Sequence, residues 1–274
     1  MTETIDGMAL VAPVFDAFIL DQYGVLHDGI APYAGVLDAL RQLAAAGKPV
    51  AILSNSGKRA ETNRNRLIRL GIPARLYSHI VTSGEVTWQA LRDRPEPFWR
   101  SLGRRCLHVT RGDDHSLLDG LDLERASSPA AADFVLASGI DTPARSVDDY
   151  RPLLAVAAER GLPMVCANPD RVAVDGGRLI DSVGALAALY ESLGGRVRYV
   201  GKPWPEVFAA CLDALGTAPA RTVMVGDNPE TDIAGAQAIG LATIRVLSGV
   251  PNPVSAPADR RIDPPDFILS TFRW

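Results

Sequence analysis

Short apolar runs alternate along the chain with segments whose apolar residues recur at helical spacing. The runs carry valine, isoleucine and leucine at consecutive positions, as strands buried on both faces of a sheet do. We predict strands at 17–20, 49–53, 133–137, 163–167, 197–200, 221–225 and 241–247. We predict helices at 35–45, 59–70, 85–92, 148–159, 184–193, 205–215 and 230–239. This alternation predicts an α/β fold built on a doubly wound parallel sheet.

The composition is that of a folded globular protein. Of 274 residues, 47% are hydrophobic and 22% charged, close to the average for such proteins. The net charge of −4 and the lack of a dense basic stretch argue against a nucleic-acid partner. No apolar run approaches the roughly 18 residues of a membrane span, and the acidic N-terminus resembles neither a signal nor a transit peptide. We therefore expect no membrane partner.

The three cysteines, Cys106, Cys166 and Cys211, are far apart in the sequence. They form no Cys-x-x-Cys pair, so neither a disulfide framework nor a zinc site is indicated. A reducing, cytoplasmic compartment is the expectation that follows.

Four predicted strands end in polar residues. In a doubly wound sheet, ligands bind at the carboxyl ends of the strands. The four segments are Asp21 with Gly24, residues 54–58 (Ser-Asn-Ser-Gly-Lys), residues 201–203 (Gly-Lys-Pro) and residues 226–232 (Gly-Asp-Asn-Pro-Glu-Thr-Asp). The stretch between the second and third segments has alternating units of its own but no comparable strand end. We therefore predict a discontinuous core, 1–79 and 196–274, with an inserted domain at 80–195.

These residue types suit a site for an anion and a metal ion. Asp21 can act as a nucleophile or a metal ligand, and Asp227 is placed for a hard cation such as Mg²⁺. Ser54 precedes a predicted helix, whose start favours anions, and Lys202 can neutralise a phosphate or keep a carboxylate ionised. Taken one at a time, each residue is explained equally well as a turn or helix cap or a solvated side chain. Their joint occurrence at the ends of one sheet indicates a single site.

The motifs resemble those of the haloacid dehalogenase-like hydrolase superfamily, and the resemblance spans nearly the whole chain. Residues 21–26 (Asp-Gln-Tyr-Gly-Val-Leu) resemble the first motif, Ser54 the second, Lys202-Pro203 the third, and Gly226-Asp227 with Asp232 the fourth. The insertion, with residues 166–170 (Cys-Ala-Asn-Pro-Asp) and 82–85 (Thr-Ser-Gly-Glu), is similar to subclass IIA, whose members carry an α/β cap of the second type.

The resemblance implies a phosphatase that uses Mg²⁺ and acts on a small sugar- or polyol-phosphate-like metabolite. Asp21 would attack phosphorus and form an aspartyl-phosphate, and Mg²⁺ would be held by Asp21, the carbonyl of Tyr23 and Asp227. Ser54 and Lys202 would hold the phosphoryl oxygens. Further candidates are Asn55, Ser56, Lys58 and Asp170 for substrate contact, and Asn228 and Asp232 for contacts behind the metal and the lysine. Caps of this type often dimerise in the family, so a homodimer formed through the cap is one expected assembly.

One position departs from the family pattern. Family phosphatases have a second aspartate two residues after the nucleophile, which protonates the leaving group, and this chain has Tyr23 there. A phenol with a pKa of about 10 substitutes poorly for a carboxyl group with a pKa of about 4. General acid–base catalysis contributes roughly 10²–10⁴-fold, so we expect reduced activity, above all on alkyl phosphates. Gln22, His27 and Asp28 are candidates for another proton donor.

Two other functions stay open at the level of sequence. Asp-x-Tyr-Gly at 21–24 also resembles the first motif of the true haloacid dehalogenases, in which aspartate attacks carbon without a metal. Asp227 and the cap type favour the phosphatase over that alternative. The other possibility is a non-catalytic protein that retains the phosphate pocket and uses it to sense a phosphorylated metabolite. Turnover distinguishes this protein from an enzyme, because a sensor would bind the phosphorylated metabolite without releasing product.

Overall fold

The computed structural model describes residues 2–175, 178–249 and 262–274. The strands in these ranges are β1 (Glu3–Ile5), β2 (Ala17–Asp21), β3 (Val50–Ser54), β4 (His79–Thr82), β5 (Arg105–Val109), β6 (Glu124–Arg125), β7 (Phe134–Ala137), β8 (Pro163–Cys166), β9 (Val172–Asp175), β10 (Arg178–Asp181), β11 (Arg196–Tyr199), β12 (Thr222–Gly226), β13 (Ala242–Val246) and β14 (Phe267–Leu269). The α-helices are α1 (Val36–Ala45), α2 (Ala60–Arg69), α3 (Ser83–Asp93), α4 (Pro97–Ser101), α5 (Arg151–Glu159), α6 (Val183–Ser192), α7 (Pro205–Leu215) and α8 (Ala234–Gln237). Short 3₁₀ helices lie at Met8–Leu10, Ala74–Leu76, Ser116–Leu118, Pro129–Ala131, Val147–Tyr150 and Pro219–Arg221.

The first sheet is parallel throughout, in the order β1-β14-β13-β12-β2-β3-β4. Both of its faces are covered. On β2, Phe18 and Leu20 pack into the same cluster as α1, whereas Ile19 between them packs into the cluster that contains α7. Because successive residues of a strand point to opposite faces, such a strand needs apolar residues at consecutive positions. The predicted α/β fold with a doubly wound parallel sheet is confirmed.

The inserted region forms a second parallel sheet in the order β11-β8-β7-β5-β6, beside an antiparallel pair, β9 and β10. Two strands differ from the predicted division of the chain. β11 pairs with β8 in the second sheet, although the prediction assigned residues from 196 onward to the core. β4 pairs with β3 in the first sheet, although residues from 80 onward were assigned to the insertion. We therefore propose boundaries after Thr82 and after Tyr199.

The predicted helix at 230–239 also takes a different form. A five-residue π-helix, Pro229–Ile233, opens it, and only Ala234–Gln237 is α-helical. π-Helical turns are rare and frequently occur at functional sites. None of the helices in the described ranges is long and apolar enough to span a bilayer.

Strand register brings the polar strand ends to one edge of the first sheet. Asp21 lies opposite Leu53, and Leu20 lies opposite Val225. The residues that follow β2, β3 and β12 therefore meet side by side. Strand ends of the second sheet approach the same edge, since a Cβ atom on Gly57 would lie 2.2 Å from the carbonyl oxygen of Ser138, directly after β7.

Candidate active site

Lys202 lies at the centre of a buried cluster of charges. Its Nζ donates to Asp21 Oδ1 at 2.5 Å and to Asp232 Oδ1 at 2.6 Å, and its side chain is 4% exposed. Asp227 completes the cluster, because one carboxylate oxygen from each of Asp21, Asp227 and Asp232 lies within 4.8 Å of the others. The structure thus brings together chemical groups from three segments that are separate in the sequence.

The cluster holds more negative than positive charge. Burial, together with repulsion from Asp232, raises the pKa of Asp21 above the usual carboxyl range, even though Lys202 opposes the shift. Burial and the neighbouring carboxylates raise the pKa of Asp227 in the same way. Burial also opposes the charge on Lys202, but the carboxylates of Asp21 and Asp232 outweigh it and raise the pKa of the lysine.

This donor set fits a divalent cation. Three carboxylates surround a single ammonium group in the described part of the chain. Their unbalanced negative charge and hard oxygen atoms are the properties that Mg²⁺ sites require. Asp21 and Asp227 carry the carboxylates available for such an ion, whereas Asp232 is fully buried behind Lys202.

Gly24 makes room for Asp227. Its φ of +88° is in the left-handed region, and a Cβ atom at this position would lie 2.2 Å from Asp227 Oδ2. Only glycine satisfies both the backbone conformation and the close approach. The glycine of the first motif therefore leaves the space that the carboxylate of the fourth motif occupies.

Asn55 connects Lys202 to the inserted region. Its Oδ1 accepts from the backbone N–H of Lys202 at 2.6 Å, and its Nδ2 donates to the Lys202 carbonyl at 3.1 Å and to Asp170 Oδ1 at 2.8 Å. Burial raises the pKa of Asp170. Both Asn55 and Asp170 were predicted to contact substrate. Both line the cavity beside the charge cluster, but the polar atoms named here bind each other and the Lys202 backbone.

Most of the predicted site residues line one cavity. Its walls are formed by Asp21, Tyr23, Ser54, Asn55, Asp170, Lys202, Asp227, Asn228 and Thr231. Ser56 and Lys58 are not among these lining residues. The Ser56 hydroxyl accepts from the Lys58 backbone N–H at 3.3 Å and from Asn63 Nδ2 at 3.2 Å, and the Lys58 ammonium pairs with Asp114. The polar groups of both side chains thus have partners that do not line the cavity.

Capping contacts organise the turn after β12. Asn228 Oδ1 accepts from the N–H groups of Glu230 and Thr231 at 2.8 and 3.3 Å. Asp232 Oδ2 accepts from the Asn228 N–H at 3.1 Å, while its Oδ1 holds Lys202. The side chain of Asn228 is thus a helix cap. Thr231, which lines the cavity, was not singled out from the sequence, and its place inside the fourth motif was the one signal for it.

Tyr23 lines the cavity, but the proposed substitute proton donors do not. Burial raises the pKa of Tyr23, so its phenol stays protonated at neutral pH. His27 is fully buried, its Nδ1 accepts from the Gly29 N–H at 2.9 Å, and burial lowers its pKa to about 4. Asp28 is exposed and accepts from the two backbone amides that close its turn. Gln22 is buried, and among the described residues its Nε2 has no hydrogen-bond partner.

Comparison with known proteins identifies the family. A sugar-phosphatase from Bacillus subtilis, AraL, is 30% identical over 271 residues, which cover 95% of this chain and 92% of that protein. The chain belongs to the haloacid dehalogenase-like hydrolase family. Family models agree, because residues 18–124 match the one described as haloacid dehalogenase-like hydrolase and residues 199–274 match one described as HAD-hydrolase-like.

Two further relatives extend this assignment. The glycerol-3-phosphate phosphatase of Homo sapiens is 31% identical to this hydrolase over 265 residues, covering 89% of this chain and 82% of that protein. A crystal structure of a haloacid dehalogenase-like hydrolase from Brucella suis superimposes with a TM-score of 0.85 at 29% identity, covering 98% and 99% of the two chains. The family predicted from the motifs is confirmed over the length of the chain.

Proposed function

We propose that this hydrolase is a Mg²⁺-dependent phosphatase that acts on a small sugar- or polyol-phosphate metabolite through a phosphorylated Asp21. The observation that carries the proposal is the contact of Lys202 with Asp21 and Asp232 beside the carboxylate of Asp227. The names of the sugar-phosphatase and the glycerol-3-phosphate phosphatase support the substrate class.

Asp21 is the nucleophile in this proposal. Lys202 fixes one oxygen of its carboxylate and favours the ionised form, which is the form that attacks. A bond forms between the Asp21 carboxylate and phosphorus while the bond from phosphorus to the leaving oxygen breaks. Water then attacks phosphorus, releasing inorganic phosphate and restoring Asp21.

The rest of the site stabilises charge. The Ser54 hydroxyl and the Lys202 ammonium bind phosphoryl oxygens, which carry the charge of the transition state. Asp21, the Tyr23 carbonyl and Asp227 would hold Mg²⁺, which would supply further positive charge beside those oxygens. Asp232 orients Lys202 from behind.

Protonation of the leaving group is the step for which this site is least well equipped. Tyr23 occupies the position of the family acid. Burial raises the pKa of Tyr23, so its phenol is an even weaker acid relative to a carboxyl group. Alkyl leaving groups need that proton most, so this hydrolase is expected to turn them over slowly.

The test is a panel of phosphorylated metabolites assayed for released phosphate with Mg²⁺ and with a chelator. We expect release with Mg²⁺ only, and none from Asp21→Asn. Asp38→Asn, which changes an exposed aspartate on α1, is the matched control and should behave like the wild type. Phosphate release by folded Asp21→Asn would refute the assignment of the nucleophile.

Tyr23 also favours a second candidate function, the binding of a phosphorylated metabolite without turnover. Such a protein keeps the residues that bind the phosphate and the metal ion, and it does not need a strong acid to protonate a leaving group. Calorimetry with the same panel distinguishes the two functions. Saturable binding without phosphate release, under conditions that sustain many turnovers in a phosphatase, would favour the sensor.

A further inference from the structure

Two histidines of the inserted region, which are not part of the charge cluster, converge on each other. His108 lies on β5, and His115 directly precedes the 3₁₀ helix Ser116–Leu118. Their Nδ1 atoms are 2.9 Å apart, with ring centroids 5.0 Å apart and ring planes inclined at 56°. Each ring therefore directs the same nitrogen at the other.

The second nitrogen of each ring is held by an oxygen atom. His108 Nε2 lies 2.8 Å from Ser138 Oγ, and His115 Nε2 lies 3.0 Å from Asp113 Oδ1. An ionised carboxylate only accepts hydrogen bonds, so His115 Nε2 carries a proton and, in the neutral ring, Nδ1 presents a lone pair. Histidines that bind metals are usually held in this way, with the nitrogen remote from the metal donating to a carboxylate, carbonyl or other oxygen.

The surroundings of His108 favour its neutral, ligating form. Burial lowers the pKa of His108 to about 3, with His115 and Lys58 adding to the effect. Both oxygens of Asp114 are already engaged, one by Ser116 and the other by Lys58. The side chain of His115 is 19% exposed, so one member of the pair borders solvent, and water can fill the remaining coordination positions of an ion.

We propose that His108 and His115 bind a divalent transition metal ion of tetragonal geometry, Cu²⁺ or Ni²⁺, through their Nδ1 atoms. Two nitrogens bound at about 2.05 Å and at right angles lie about 2.9 Å apart, whereas tetrahedral coordination separates them by about 3.4 Å. The observed 2.9 Å equals that right-angled separation. In the metal-free pair a hydrogen bond spans the same distance, so coordination requires each ring to turn its Nδ1 toward the ion but not to move away from the other ring.

Binding requires one proton to change place. Without metal, His108 Nδ1–H donates to His115 Nδ1, and Ser138 Oγ–H donates to His108 Nε2. With metal, the proton of His108 moves from Nδ1 to Nε2, and Ser138 becomes the acceptor. No proton is gained or lost overall. The bound ion would pin the segment that contains Asp114, whose ion pair with Lys58 joins the inserted region to the loop after β3.

The test is calorimetric titration of the full chain with Cu²⁺ and with Ni²⁺ in excess Mg²⁺, repeated in an Asp227→Asn background so that the carboxylate cluster does not contribute. Electron paramagnetic resonance of the Cu²⁺ complex reports the ligand atoms. The variants are His108→Ala and His115→Ala, with circular dichroism to verify folding. The matched control is His79→Gln, a partly exposed histidine at the start of β4.

We expect one Cu²⁺ per chain with hyperfine splitting from two nitrogens. Either alanine variant should lower the affinity more than about tenfold, the loss that removing even an indirect partner of a metal-bound histidine commonly causes. His79→Gln should leave the affinity unchanged. Because His115 lies outside the strands, its variant keeps the test valid if His108→Ala does not fold. An oxygen-only signal, or undiminished affinity in folded His115→Ala, would overturn the proposal.

Discussion

At the scale of single residues, the close approach of Gly24 to Asp227 makes the candidate metal site sensitive to one methyl group. Gly24→Ala would place a Cβ atom 2.2 Å from Asp227 Oδ2 and so displace that carboxylate. A shift of about 1 Å in a catalytic group can cost roughly 10²-fold in rate. We expect a loss of that order in phosphate release and weaker Mg²⁺ binding, measured by steady-state kinetics and calorimetry.

The variant Gly71→Ala is a control that distinguishes steric crowding of Asp227 from backbone strain as the cause of the loss in Gly24→Ala. Gly71 has a φ of +87°, nearly equal to that of Gly24, but a Cβ atom there meets nothing within 4 Å among the described residues. This variant should lose about 1 kcal/mol of stability and keep its activity. Equal losses of activity in both variants would show that strain, not the position of Asp227, is responsible.

Tyr23 provides the second residue-scale prediction. Tyr23→Asp should raise the turnover of alkyl phosphates by up to roughly 10²–10⁴-fold, because it restores a carboxyl acid on the cavity wall. The gain should be smaller with p-nitrophenyl phosphate, whose leaving group needs little protonation. Assays of both substrates in one variant control for altered packing, which would depress both. Background alkyl turnover in a folded variant that binds Mg²⁺ would mean that the missing acid is not limiting.

At the scale of elements, consecutive apolar residues made the central strands predictable. β2, β3 and β12 lie within one residue of their predicted positions, and α7 coincides with its prediction. β5 was missed because Arg105 and His108 interrupt its apolar run, and β4 because polar residues occupy both of its ends. Sheet membership was also beyond the pattern, since periodicity does not show which sheet β11 joins.

The sequence pattern likewise predicted the position of the site but not all of the residues that line it. Strand ends predicted where Asp21, Lys202 and Asp227 would meet, because the carboxyl ends of parallel strands share an edge. They did not predict where side chains point once a strand has ended. Ser56 and Lys58 illustrate this, because each finds its partners outside the cavity.

The start of α3 provides a prediction at the scale of an element. Thr82 Oγ1 accepts from the Glu85 N–H at 2.9 Å and donates to the Lys58 carbonyl at 2.7 Å, and the residue is fully buried. Thr82→Val keeps the shape but removes both bonds, which should cost about 2–3 kcal/mol in the free energy of unfolding. Ser146→Ala, at the exposed cap of another helix, should cost about 1 kcal/mol. Urea denaturation measures both, and equal costs would contradict the role given to Thr82.

At the scale of the whole molecule, the excess carboxylate charge links stability to the metal. A raised carboxyl pKa means that the folded protein disfavours the ionised form, so the stability of metal-free protein falls as the pH rises from the usual carboxyl range through the raised pKa. In a chelator at pH 7, Asp227→Asn should therefore melt at a higher temperature than the wild type.

Mg²⁺ should oppose that order. At about one hundred times its Kd, a ligand adds about 2.7 kcal/mol of stability to the folded state. The wild type should gain this and Asp227→Asn should not, so the melting temperature of the wild type should rise relative to that of the variant when Mg²⁺ replaces the chelator. Calorimetric melts of both proteins under both conditions provide the check. Equal stabilisation of both proteins by Mg²⁺ would place the ion elsewhere.

The attack of Asp21 on phosphorus is tested most directly by trapping the phosphorylated enzyme. The wild-type protein is mixed with Mg²⁺ and its best substrate from the panel, quenched in acid during turnover and digested for mass spectrometry. The account predicts one added phosphoryl group on the peptide that contains Asp21, removed by hydroxylamine and absent from Asp21→Asn. Phosphate release by the wild type with that peptide unmodified at every quench time, or with the phosphoryl group on another residue, would contradict it.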